Sequence, residues 1–373
     1  MRFLTPDFPP ADAIERYFER SREASWYSNF GPCHELLVER LETQLGADVR
    51  CVPVANCTLG LMLALRASAG EPEGERREVV LPSFTFAASI EAVMWAGFEP
   101  VFADVDPSAW HLAPEALDAA LREREGRVAA VLACATFGTP PLAPLCAEWE
   151  RLSSAAGAGI VLDSAAGFGA ANEDGVGLVA GQGDAEVFSF HATKPFAIGE
   201  GGLVTTRDAD LAARVRTLAN FGFEDGIVAG QAGLNAKLSE WGAATALAVL
   251  EGYDHVLERR RAHAAELRAR LEPLGYEFQQ GCERSPWQFV PVLAPSPGVR
   301  DAALAAASAD GIELRSYFDP PLSEMPAFAG AARAGSLETT EWLAARALSL
   351  PMATAWPADT IPRIASCLEE ATA

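Results

Sequence analysis

Ile160-Val161-Leu162-Asp163-Ser164-Ala165-Ala166-Gly167 reads as a buried strand that stops at a carboxylate and turns through small residues. An unbroken apolar run with no polar alternation suits a strand covered on both faces, as in a parallel sheet. Val79–Leu81, Pro100–Ala103 and Ala129–Ala133 have the same character. Helices are expected between them at about Cys57–Ala67, Ala113–Glu123 and Pro141–Ala155. Strands alternating with helices imply βαβ units, hence an α/β fold with a mainly parallel sheet. The rhythm then changes. Ala185–Phe190 and Gly202–Thr206 are two short β runs joined by a loop without a helix. A helix at Asp208–Ala219 and an irregular stretch at Gly222–Gly233 follow. A long helical pattern runs from Leu238 to Leu271, interrupted near Gly252-Tyr253, with Arg259-Arg260-Arg261 read as a solvated face. Beyond Pro273 a strand is expected at Trp287–Leu293 and helices at Val299–Ala309 and Thr339–Leu348. This predicts a large α/β domain over residues 1–250, N-terminal segment included, and a smaller C-terminal α+β domain over 251–373.

A chain of 373 residues is long enough for two cores. Acidic residues outnumber basic ones by 51 to 29, a net charge of −22. That excess argues against a nucleic-acid partner and against an anionic membrane surface. The seven cysteines are widely spaced with no CxxC pair, as expected of reduced thiols in a cytoplasmic protein. The N-terminus shows no apolar signal-peptide core, and no apolar run is long enough to span a bilayer.

Four places carry chemistry. Asp163 closes a parallel strand, where α/β folds bind ligands, although a lone Asp there also serves as an ordinary helix cap. Lys194 ends Ser189-Phe190-His191-Ala192-Thr193-Lys194, just before Gly199-Glu200-Gly201-Gly202. Its neighbours are small or apolar, and partial burial frees a lysine amine for Schiff-base chemistry. Asn56-Cys57-Thr58 opens a helix, whose unpaired N–H groups and dipole suit a phosphate, or which Asn56 simply caps. Phe86, in Pro82-Ser83-Phe84-Thr85-Phe86, is a flat ring after a strand and reads alone as core. A pyridoxal phosphate (PLP) site needs these parts: a lysine, a carboxylate for the pyridine nitrogen, a phosphate cup and a stacking ring. The cofactor then serves as electron sink.

In this order the segments resemble the DegT/DnrJ/EryC1/StrS aminotransferases, PLP enzymes of fold type I with an aspartate-aminotransferase-like large domain. The matching runs are Asn56–Thr58, Pro82–Phe86, Val101–Asp106, Asp163–Ala165, Ser189–Lys194 and Gly199–Gly202, with Gly31-Pro32 and Tyr317–Leu322 nearer the ends. The resemblance implies that Lys194 carries PLP as a Schiff base and moves the proton, and that Asp163 pairs with the ring nitrogen. It implies that Phe86 stacks, that Asn56, Cys57, Thr58 and Ser189 form the phosphate site, and that Asn235 reaches the neighbouring subunit's phosphate in a homodimer. The implied reaction moves an amino group from glutamate or glutamine to a keto acceptor, a nucleotide-linked keto-deoxysugar first and a cyclitol ketone second. PLP chemistry of another type, such as dehydration or cyclisation, and a non-catalytic PLP sensor stay open as alternatives. Dehydratases of the family carry His in place of this lysine, so Lys194 favours transamination.

Cys57 stands where the family usually has Gly, and Ala166 where it has Gln near the cofactor's ring oxygen. Lys237 replaces Arg and Ser323 replaces His, both in regions associated with substrate. His191, Lys237, Arg315 and Tyr317 are candidate substrate contacts. His34, His111, His255 and His263 read as surface or core residues, and no Cys/His cluster suggests a metal. Gly175–Ala180 fits a dinucleotide fingerprint loosely but opens no helix, so it reads as a turn.

Overall fold

The computed structural model describes residues 1–175, 177–228 and 230–372. Its strands are β1 (Arg50–Val54), β2 (Glu78–Pro82), β3 (Glu99–Ala103), β4 (Val128–Cys134), β5 (Gly159–Asp163), β6 (Ala185–Ser189), β7 (Gly202–Thr206), β8 (Phe223–Glu224), β9 (Ile227–Val228), β10 (Val290–Leu293), β11 (Ala332–Arg333) and β12 (Ala347–Leu350). The helices are α1 (Ala11–Ala24), α2 (Pro32–Leu45), α3 (Cys57–Ala69), α4 (Ala87–Trp95), α5 (Pro114–Glu123), α6 (Ala143–Ala155), α7 (Ala209–Ala219), α8 (Glu240–Leu250), α9 (Tyr253–Leu271), α10 (Pro297–Ala309), α11 (Glu338–Ala344) and α12 (Thr360–Glu370).

An eight-stranded sheet runs β1-β7-β6-β5-β4-β2-β3-β11. Neighbours from β11 to β6 pair in parallel, and β7 pairs antiparallel with both β6 and β1. A parallel return needs a crossover, usually a helix; the helix-free loop after β6 supplies none, so β7 comes back reversed. The carboxyl ends of β1, β2, β4, β5 and β6 therefore share one edge of the sheet with the β6–β7 loop.

The apolar strands are buried on both faces, as the absence of alternation requires. α3 lies close on the sheet because Gly60 has no side chain: a Cβ there would meet Val187 at 2.9 Å and Val54 at 3.1 Å. Across the sheet, α2 and α8 pack on a cluster containing Phe168, Phe188, Phe190 and Phe196. Glu240 at the start of α8 accepts hydrogen bonds from the N–H groups of Cys33 (2.7 Å) and His34 (3.1 Å) and from Ser21 Oγ (2.7 Å). A carboxylate at the amino end of α2 satisfies orphan donors and faces the positive end of the helix dipole. The antiparallel pair β10–β12 has its own core, including Leu267, Val292, Leu350 and Ile364.

Three expectations are corrected. The helix expected over Thr339–Leu348 ends at Ala344, and Ala347–Leu350 pairs with β10 instead. Arg346 makes the break: its Nε donates to Ala294 O (2.7 Å), and its carbonyl accepts from Ala294 N (2.9 Å). The strand expected from Trp287 begins only at Val290, because Trp287 is left-handed at φ 58°. Arg260 is not solvated but 2% exposed, held by Asp7 Oδ2 (2.9 Å), Thr354 Oγ1 (3.1 Å) and Trp287 O (3.1 Å). In the Gly175–Ala180 run, Val176 lies outside the described residues.

Two buried groups oppose each other in their pH response. Burial drives His111 down to about 4 from 6.5. From pH 6.5 down to 4 the unfolded chain takes up a proton that folded His111 refuses, so stability falls with falling pH. Burial pushes the Glu186 carboxyl up from 4.5 to about 7, against hydrogen bonds from Ser164 Oγ and the Gln182 N–H. From pH 4.5 up to 7 the unfolded chain releases a proton that folded Glu186 keeps, so stability falls with rising pH. Each effect is worth about 3 kcal/mol. Glu186→Gln is therefore expected to gain about 3 kcal/mol on wild type between pH 4.5 and 8. Urea midpoints across that range check it; parallel profiles for the two proteins would refute it.

Candidate active site

At the shared carboxyl edge lies a cavity of about 730 Å3. Asp163, the last residue of β5, is 4% exposed there. Its Oδ2 accepts from Ser89 Oγ (2.6 Å) and its Oδ1 from the Ala165 N–H (3.1 Å). Burial raises its pKa, and those two donors and the Lys194 charge draw it back. Among the described residues it makes no ion pair.

Lys194 sits in the β6–β7 loop, its backbone N–H bonded to His191 O (2.9 Å). Its Nζ lines the same cavity and donates to Gln288 Oε1 at 2.9 Å. Burial lowers the lysine pKa, while the surrounding acidic groups Cys57, Asp163 and Cys134 hold it up. The Cys57 thiol is pushed well above its ordinary value, first by burial and then by Asp163, so it stays protonated.

α3 points its amino end at the cavity. Asn56 caps it, accepting from the Leu59 N–H (2.9 Å). Cys57 and Thr58, the first two helical residues, line the cavity with N–H groups that have no intrahelical partner. Gly202 allows β7 to pass beneath: a Cβ there would stand 2.8 Å from Cys57 N. Ser189, at the end of β6, also lines the cavity, its Oγ accepting from the His191 N–H (3.2 Å). Phe86 stands at the N-cap of α4, lines the cavity and is 61% exposed.

His191, Arg315 and Tyr317 line the cavity as well. Arg315 is bound to Glu313 (2.6 Å) and to Tyr317 Oη (2.7 Å), which takes up much of its charge. Asn235 and Lys237 do not line this chain's cavity. They hydrogen-bond to each other (Nζ to Oδ1, 2.9 Å) on the surface, where Lys237 lies over the Phe221 ring. Sequence reasoning missed Ser89, which holds Asp163, and Gln288, which holds Lys194. Ser89 lies inside an apolar helix, and Gln288 follows a tryptophan 94 residues from the lysine, so local spacing carried no signal for either. It also missed the wall made by Phe137 and Phe318, stacked at 4.9 Å and 7°.

The donor set fits pyridoxal phosphate. A buried carboxylate without an ion pair suits a ring N–H⁺, a desolvated amine suits a carbonyl, and a helix start with a serine hydroxyl suits a phosphate. No group of His, Cys, Asp and Glu suited to hold a metal ion occurs among the described residues. None of their helices is long and apolar enough to cross a membrane.

Known proteins agree. The chain is 34% identical over 372 residues to the Mycobacterium tuberculosis protein Rv3402c, covering 99% of this chain and 89% of that one. It superposes with a TM-score of 0.91 on a Bacillus cereus protein provisionally assigned as a PLP-dependent aminotransferase, at 29% identity and 98% coverage of both chains. The structure of DesI in the presence of its TDP-sugar product gives a TM-score of 0.87 at 35% identity, covering all of this chain and 93% of DesI. Residues 11–369 match the DegT/DnrJ/EryC1/StrS aminotransferase family. The chain belongs to that family and is a PLP-dependent aminotransferase.

Proposed function

We propose that this enzyme moves an amino group from glutamate or glutamine to the ketone of a nucleotide-linked deoxysugar. The observation that carries the reading is Lys194 and Asp163 in one cavity beside the exposed ring of Phe86. DesI, at 35% identity, was solved with a TDP-sugar product, which supports this acceptor class.

Pyridoxal phosphate, when bound, supplies the electron sink that stabilises negative charge at the reacting carbon. Asp163 would hold the ring nitrogen protonated, Phe86 would cover the ring, and Ser189 with the Cys57 and Thr58 N–H groups would grip the phosphate. Asn56 supports that grip by capping α3. Lys194 Nζ takes the proton from the donor carbon that bears nitrogen, and when nitrogen reaches the acceptor the same amine gives a proton to the former ketone carbon. The stacked Phe137–Phe318 pair gives the acceptor an apolar wall suited to a deoxygenated sugar face. His191, Arg315 and Tyr317 meet the acceptor's polar groups.

The functional unit in this reading is a homodimer. Phe221 (44% exposed), Phe223 (46%), Ile227 (64%) and Leu234 (37%) form an apolar surface around Asn235 and Lys237, and a second copy covers it. Asn235 then completes the neighbour's phosphate site, with Lys237 beside it. We take residues 1–250 as the cofactor-binding domain and 251–373 as a smaller domain, which lends β11 to the large sheet and Leu322, Phe328 and Leu337 to its core. The seven cysteines, free and buried, support a cytoplasmic setting.

The test is nitrogen transfer. With 15N-glutamate, or glutamine labelled at the amine, and a TDP-linked keto-deoxysugar, mass spectrometry is expected to find 15N on the sugar. Label appearing only on a keto-cyclitol would move the acceptor to that class, and unlabelled sugar would overturn the assignment.

A further inference from the structure

Gln288 reaches the cavity from the segment just before β10, 94 residues along the chain from Lys194. It is 6% exposed, and Arg260 pins its backbone by donating to the carbonyl oxygens of Trp287 (3.1 Å) and Gln288 (3.5 Å). Trp287 holds a left-handed φ of 58°, so the chain is bent to deliver this one side chain. The direction of the amide follows from the chemistry of its neighbours. A lysine amine at 2.9 Å meets the oxygen, Oε1, which leaves Nε2 to donate to Thr193 Oγ1 at 3.3 Å. Thr193 Oγ1 in turn lies 2.9 Å from His191 Nδ1, which already accepts from the Thr193 N–H (3.2 Å). Nδ1 thus faces Thr193, and Nε2 faces Glu200 at 3.6 Å. The contacts form one connected chain: Lys194 donates to Gln288, Gln288 donates to Thr193, and the Thr193 hydroxyl meets His191.

The other carboxamide lining the cavity, Asn56, is committed to its helix cap, and Ala166 offers only a methyl group. We propose that Gln288 is a positioning residue of this enzyme: its carboxamide holds the Lys194 amine in the cavity and ties it to Thr193 and His191. This rests on Lys194 being the cofactor's lysine, as argued above. Gln288 acts when the amine is free, the stage at which it moves the proton. A lysine with three rotatable donors on a four-carbon stem needs such an anchor to meet the reacting carbon at one angle.

The experiment uses the full-length chain without added cofactor. Pulse acetylation at a series of pH values, with mass spectrometry of the Lys194 peptide, reads the pH midpoint at which the amine becomes reactive. Gln288→Met, similar in volume but without an acceptor, is expected to lower that midpoint by about one unit. Gln288→Glu, an anion at the same place, is expected to raise it by about one unit. In the holoenzyme, Gln288→Met is expected to lower kcat by roughly tenfold to hundredfold with KM for the amino donor unchanged. An unmoved midpoint in Gln288→Glu overturns the proposal whether or not Gln288→Met folds, and so does a wild-type kcat in folded Gln288→Met. Borohydride reduction of the holoenzyme and peptide mapping read separately whether Lys194 carries the cofactor, so the two assignments fail independently.

Discussion

Lys194→Ala is expected to lose about 10⁴-fold in turnover, the upper range for removing a positioned proton-transfer group. Nothing nearby replaces it. The Cys57 and Cys134 thiols are pushed up by burial and stay protonated. The His191 ring is committed to Thr193 through Nδ1 and faces Glu200 through Nε2. The variant leaves a small void beside Gln288 in a loop that is only half-buried at this residue, so folding is expected to survive. Two measurements check the result. Borohydride is expected to fix no cofactor on the variant, and a small primary amine such as methylamine is expected to restore part of the lost rate by occupying the vacated space. Turnover within tenfold of wild type would remove Lys194 from the reaction.

Asp163→Asn is the second large effect, an expected loss of about 10²- to 10³-fold in kcat. The substitution keeps the shape and removes the charge opposite the ring nitrogen, in a place where low dielectric makes that charge count most. Stability is expected to move the other way. Burial raises the Asp163 pKa, so the ionised carboxylate costs the protein without its cofactor something that a neutral amide does not. Ser89 Oγ adapts to the amide because Thr85 Oγ1, 3.0 Å away, offers it another partner. The cofactor-free variant is expected to melt at or above the wild-type temperature while activity collapses. A melting temperature that falls in step with activity would turn Asp163 into a structural residue, and a loss below tenfold would contradict the electrostatic role.

Asp163 and Lys194 were legible because each depends on short-range grammar. A carboxylate ends an apolar strand, and a lysine in a helix-free loop is followed by glycines. The same grammar marks Asn56 as a cap and places the α3 amino end. The first two helices, α4 and α12 were not read: α4 is apolar nearly all round, whereas α12 carries a regular apolar stripe at Ile361, Ile364, Ala365 and Leu368 that was legible. Phe86 alone looked like core; the family resemblance implies that it stacks, and its place in the cavity lining beside Asp163 supports that reading.

By itself the amino-acid sequence determined the βαβ rhythm, the break at β6–β7 and the candidate cofactor residues, because periodicity, strand ends and turn residues act within a few positions of one another. Only the tertiary structure decided which distant groups meet them. Arg260 turned inward to Asp7 and Trp287, residues 347–350 became a strand because β10 was there to pair with, and Gln288 arrived at Lys194 from 94 residues away. Burial, partner geometry and the charge of a site arise from packing between remote segments, and packing has no local spacing to read.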